Sequence, residues 1–184
     1  MAASLPSFVL LGYCAKQKIT LEGCELRSVS ECIAKRPPKW AARWDFNRAT
    51  CWNTEAEAWA CVPEESKAEF AIFAYRLLPM LFDSSGEGRA VALDQLLPAE
   101  LPSLPGEPAP AQHASIGYDV VERNIVLGTL GFGCSPLSCN GLAKEIPVNQ
   151  FCLLDNLESA LAIARRFGVE QPEPGPYVII EVLA

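Results

Sequence analysis

The chain has 184 residues, half of them hydrophobic, and 22 acidic against 15 basic side chains give it a formal charge of −7. That length and apolar content are enough to bury a core without covalent staples, and they exclude a disordered or fibrous chain. The acidic balance argues against a protein that grips long nucleic acid, whose footprint is basic across the domain, and no apolar run approaches the roughly 20 residues of a membrane helix.

The opening residues Met1 to Lys16 lack the basic start of a secretory signal and carry only the short apolar run Phe8 to Leu11. A cytoplasmic location is therefore expected, with the eight cysteines mostly reduced. Ser7 to Leu11 reads as a strand running into Leu11-Gly12-Tyr13, and a cysteine-bearing loop, Cys24 to Cys32, follows. Next comes Cys51-Trp52-Asn53-Thr54-Glu55-Ala56-Glu57, which has the spacing of a capping box, with Thr54 accepting from a first-turn NH and Glu57 reaching back. Pro63 keeps that helix short, and Glu69 to Leu78 closes the half as a largely apolar strand.

Five prolines between Leu96 and Gln112 mark an extended surface connection, preceded by one possible helical turn at Leu93 to Leu97. Residues 83–115 are accordingly read as a linker between a first half, 1–82, and a second, 116–184. The second half repeats the order of the first. Ile116-Gly117-Tyr118 opens it, Cys134-Ser135-Pro136-Leu137-Ser138-Cys139 forms its cysteine loop, and Asn149 precedes a second helix start as Asn47 precedes the first. In Cys152-Leu153-Leu154-Asp155-Asn156-Leu157-Glu158, the spacing predicts Asp155 as cap and Glu158 as its box partner. That helix is expected from about Asn156 to Phe167, stopping at Gly168, with Leu157, Ala160, Leu161 and Ala164 on its buried face. Tyr177 to Leu183 is the closing strand.

The fold class that follows is α+β: two related strand-(strand/loop)-helix-strand halves forming one compact, pseudo-twofold domain. The closing strands are largely apolar on both sides, so they are expected at the centre of the sheet, with helices covering one face.

The chemistry is defined first by what is missing. The one histidine, His113, falls in the linker, and there is no HExxH, no phosphate loop of the GxxxxGK[ST] type and no CxxC pair. Gly128 to Gly133 is glycine-rich without the GxGxxG spacing, and reads as a tight turn or bulge. Cys134 and Cys139 form a possible thiol site, but their spacing and that of Cys24 and Cys32 are poor for zinc, so neither a metal nor a cofactor is expected.

Between Lys35 and Arg48 five cations face the single acid Asp45, with tryptophans interleaved. This patch, Arg36, Lys39, Trp40, Arg43, Trp44, Asn47 and Arg48, with Asn149 as a counterpart in the second half, is the candidate surface for a partner or ligand. Without a complete catalytic set, the sequence reads as a non-enzymatic protein-binding module, of the inhibitor or immunity type, whose acidic surface meets a basic protein partner. The alternative is a small-molecule enzyme or sensor that holds an anionic, phosphate-bearing ligand between the halves.

Overall fold

The computed structural model describes residues 5–21, 23–27, 46–97, 104–105, 112–126, 129–139 and 145–184. Its centre is an antiparallel sheet in the order β1 (Val9–Gln17), β4 (Phe70–Phe82), β8 (Tyr177–Leu183), β6 (Ser115–Val126) and β7 (Thr129–Phe132), with β5 (Gly88–Ala90) paired to the far end of β4. A separate hairpin joins β2 (Ile19–Leu21) to β3 (Cys24–Leu26). The helices are α1 (Glu55–Ala60), a 3-10 helix at Glu64–Glu69, the single turns α2 (Leu93–Leu96) and α3 (Pro136–Cys139), and α4 (Leu157–Glu170). The fold is α+β.

The closing strands are central because both of their faces are apolar. On one face, Phe73, Tyr75 and Leu77 of β4 join Val178, Ile180 and Val182 of β8, and loops together with α2 cover them with Ala49, Cys51, Leu96, Leu97 and Leu153. On the other, α4 packs Ala160, Ala164 and Phe167 onto Leu78, Met80 and Ile179, while α1 packs Ala58 near Ile72 and Ala74. Both longer helices thus cover the same face, as period-2 alternation in a doubly covered strand requires. Pro79 falls where the β4–β8 register shifts, between Leu78 and Phe82, which is where a residue with no NH interrupts a ladder least.

Two helix boundaries differ from the sequence expectation. The cap of α4 is Asn156, whose side chain accepts from the Ser159 NH at 2.9 Å. Asp155 stands one residue before the cap, so Glu158 is not placed to close a box with it. Nor does α4 stop at Gly168. It continues to Glu170 and ends at Gln171 in a left-handed conformation. Gly168 is a contact residue rather than a terminator: a Cβ there would lie 2.4 Å from the Asp83 carbonyl oxygen.

The part of residues 83–115 that precedes the prolines is built into the fold. Leu96 and Leu97 are buried, β5 pairs with β4, and the turn predicted at Leu93 is α2. Arg123 holds this segment, donating from Nη2 to the Gln95 carbonyl at 3.1 Å.

Candidate functional site

Two asparagine loops lie at the outer edges of β1 and β6, and their geometry matches bond for bond. Asn47 donates its amide to the Leu11 carbonyl at 2.6 Å and accepts from the NH groups of Ala49 and Cys51 at 2.9 and 3.2 Å. Asn149 donates to the Ile116 carbonyl at 2.9 Å and accepts from Phe151 and Leu153 at 2.9 and 3.2 Å. Tyr13 and Trp52 exchange backbone hydrogen bonds, and so do Tyr118 and Leu154. Thr50 and Cys152 both adopt φ 57°. Asn suits this position because one side chain satisfies donors and an acceptor that the turn would otherwise orphan.

These bonds match the two loops residue by residue, one step away from the match of Cys51 with Cys152 that the two cysteine-led helix starts suggest. Trp52 stands where Leu154 stands and Cys51 where Leu153 does, so Cys51 and Cys152 do not correspond; the partner of Cys152 is Thr50. The same one-residue step places Thr54 beside Asn156 as equivalent caps.

Close backbone approach is what fixes the glycines ahead of each loop. Gly12 has φ +133° and Gly117 +141°. A Cβ on Gly12 would lie 2.4 Å from the Trp52 oxygen, and one on Gly117 would lie 2.8 Å from that of Leu154. Neither position admits a side chain.

Of the predicted binding residues, Arg36, Lys39, Trp40, Arg43 and Trp44 lie outside the described residues. Asn47 and Asn149 hold their loops, and the Arg48 Nε is buried without a hydrogen-bond partner. Trp52 is a core residue, edge-on to Phe46 at 6.1 Å. Cys134 lies just before α3, its NH donating to Glu122 at 3.4 Å, and Cys139 closes that turn; the Cys139 side chain is outside the described set.

His113, which sequence alone leaves in a linker, packs against the first half. Its side chain is only 8% exposed, edge-on to the Tyr13 ring at 5.7 Å, with Nε2 3.6 Å from a Glu55 carboxylate oxygen. Burial first, and then the Glu55 charge, push the Tyr13 hydroxyl above its ordinary pKa. The tie is long-range, next to the Ala114–Ala184 backbone pair, so no local pattern announces it. Arg27 is a second such tie. Its guanidinium lies between Phe73, at 4.7 Å, and Phe151, at 5.5 Å, and pairs with Glu25, while the backbone NH groups of Glu25 and Arg27 donate to the carbonyls of Gln150 and Phe151. The first-half hairpin is thereby fastened to the second-half loop.

Charge is distributed unevenly between the two helical regions. From Glu55 to Glu69 there are five glutamates and one lysine, and Glu57, Glu64, Glu65 and Glu69 are all exposed. In α4 the two glutamates Glu158 and Glu170 are balanced by Arg165 and Arg166. Internal pairing absorbs part of the first set: Glu57 closes the Thr54 capping box, Lys67 pairs with Glu64 at 2.6 Å, and Glu69 accepts from Gln17. Glu65 projects from the ridge between them.

Among the described residues no group of His, Cys, Asp and Glu is arranged to hold a metal ion, and no helix is long and apolar enough to cross a membrane. Comparison with known protein families, curated proteins and solved structures finds no match to this chain.

Proposed function

We propose that the chain is a non-enzymatic protein-binding module whose acidic ridge, Glu55 to Glu69, docks a basic protein partner, as an inhibitor or immunity-type protein does. The observation that carries this reading is the contrast between the helical regions: a net of four negative charges on the α1 side and neutrality on α4. A strongly net-negative ridge beside a sheet steers and orients an oppositely charged protein. Support also comes from the interior, where Asn47, Asn149 and His113 are spent on holding loops and chain segments together.

We further propose that the halves are two copies of one unit. The matched asparagine loops, the matched glycines and the pairing registers support this. Gly12 lies opposite Tyr75, Tyr75 opposite Val182, and Val182 opposite Gly117, so a twofold axis at the Tyr75–Val182 pair would exchange the halves. On this reading the acidic ridge is a feature added to one copy. Affinity purification from the native cell, followed by mass spectrometry, tests the function. A stoichiometric protein held by wild type and released when Glu64, Glu65 and Glu69 become Lys supports it, whereas a phosphate-bearing metabolite held instead would favour an anionic ligand between the halves.

A further inference from the structure

We propose that Cys14 and Cys51 form a redox-modification site, two thiols placed to close reversibly into a disulfide that fastens the Asn47 loop to the edge of β1. Their sulfurs lie 3.3 Å apart, already in contact, against the roughly 2.05 Å of a disulfide bond. The backbone is suited to closure. Tyr13 and Trp52 exchange both hydrogen bonds of an antiparallel pair, at 2.8 and 2.9 Å. The next pair along, Cys14 opposite Cys51, therefore occupies a non-hydrogen-bonded position, where Cα atoms approach to about 4.5 Å. Disulfides span Cα separations of about 4.4 to 6.8 Å, so little backbone movement is needed.

The thiols are not required for the loop itself. In the second half the positions flanking the Tyr118–Leu154 pair in the same way hold Asp119 and Leu153, and that loop has the same hydrogen bonds. The first loop, the one that leads directly into α1 and the acidic ridge, thus has its thiol pair across the strand-to-loop pairing, whereas in the second loop Cys152 instead hydrogen-bonds the Cys24 thiol at the start of β3.

The co-reactant is a small disulfide such as glutathione disulfide. One cysteine loses its proton and its sulfur attacks a glutathione sulfur, so that one glutathione leaves and a mixed disulfide forms. The second cysteine then loses its proton, attacks the protein-side sulfur and expels the second glutathione. Two protein thiols are oxidised to one disulfide, and one glutathione disulfide is reduced to two thiols, with the two protons retained on them. Cys14 is 3% exposed and Cys51 is fully buried, so attack waits on local opening of the loop, which breaks the Tyr13–Trp52 pair and the Asn47 bond to Leu11. Once closed, the disulfide prevents that opening. The device is a latch on the segment that presents the ridge.

The test is peptide mapping after incubation with glutathione disulfide, alkylation and trypsin. The expected product joins the peptide ending at Lys16 to the one beginning at Ala49, which carries both Cys51 and Cys61. The link should persist in Cys61→Ser and vanish in Cys51→Ser. Oxidised wild type should melt roughly 5 °C or more above the reduced form, and dithiothreitol should reverse the shift. Recovery of Cys14 and Cys51 as separately alkylated residues, or Cys14 joined to any other cysteine, overturns the proposal. The wild-type map decides even where Cys51→Ser fails to fold.

Discussion

Tyr75 faces Val182 across the β4–β8 ladder, and each is flanked on its other side by a glycine with positive φ, Gly12 beside Tyr75 and Gly117 beside Val182. This row crosses four strands, and the ladder irregularities at Leu10/Gly12 and Ser115/Gly117 sit at its two ends. Leu11 and Ile116, the residues inside these irregularities, are the ones whose carbonyls accept from Asn47 and Asn149. The glycine, the bulge and the loop therefore act as one unit at each end of the sheet.

Gly12→Ala and Gly117→Ala test that unit. At these φ values any L side chain is strained, and the added Cβ meets backbone that cannot swing away. Each substitution should cost about 3 kcal/mol in urea unfolding, and the two costs should be alike. A loss below about 0.5 kcal/mol at either glycine would show that the loop does not depend on the close approach.

The cap of α4 gives a sharper contrast between neighbours. Asn156→Ala should lower stability by about 1 kcal/mol, because the Ser159 NH loses its acceptor. Asp155→Ala, one residue earlier and exposed, should stay within about 0.5 kcal/mol of wild type. Thermal or urea unfolding of the two variants side by side separates them.

Much of the architecture is legible in the sequence because it is local. The closing strands are apolar runs interrupted only by Arg76 and Glu181, which pair across the ladder at 3.1 Å, and Thr54 and Glu57 have capping-box spacing that the structure forms at 3.2 and 3.0 Å. Asn47 and Asn149, each ahead of a helix start in the sequence, each hold a loop in the structure. The misreadings have physical causes. Asp155 and Asn156 are adjacent and both are good caps, so Glu158 at box spacing drew the start one residue early. Gly168 resembles a terminator, while its real constraint is the Asp83 backbone 85 residues away in sequence. The packing of His113 on Tyr13 and of Arg27 between Phe73 and Phe151 is settled only when distant segments meet.

Gly168→Ala turns that distinction into a measurement. In an open helix the change would stabilise by up to about 1 kcal/mol. Here the new methyl would overlap the Asp83 carbonyl, so the substitution should destabilise by about 1 to 2 kcal/mol. The sign of the change, read from the melting temperature, distinguishes a contact glycine from a merely tolerated one.

Alkali should weaken the fold through its buried phenols. Burial pushes the Tyr177 hydroxyl up to about 12, and Tyr13 and Tyr118 are raised for the same leading reason. The folded state then keeps a proton that the unfolded chain releases near pH 10. Stability is fully present below that pH and is lost between about pH 10 and 12. Tyr177→Phe should flatten this loss in a circular-dichroism titration, although it also removes the hydroxyl's bonds to the Glu173 backbone and so lowers stability at neutral pH.

The proposed function is tested most directly by comparing quantitative co-purification on wild type with that on the chain in which Glu64, Glu65 and Glu69 are replaced by Lys, at low and at high salt. These glutamates are exposed, so the variant should keep wild-type circular dichroism. The account predicts one basic protein recovered at about one to one with wild type, weakened by salt, and depleted at least tenfold on the variant. Equal recovery of the same partner by both chains, or a wild-type chain that carries no protein at all, would contradict it.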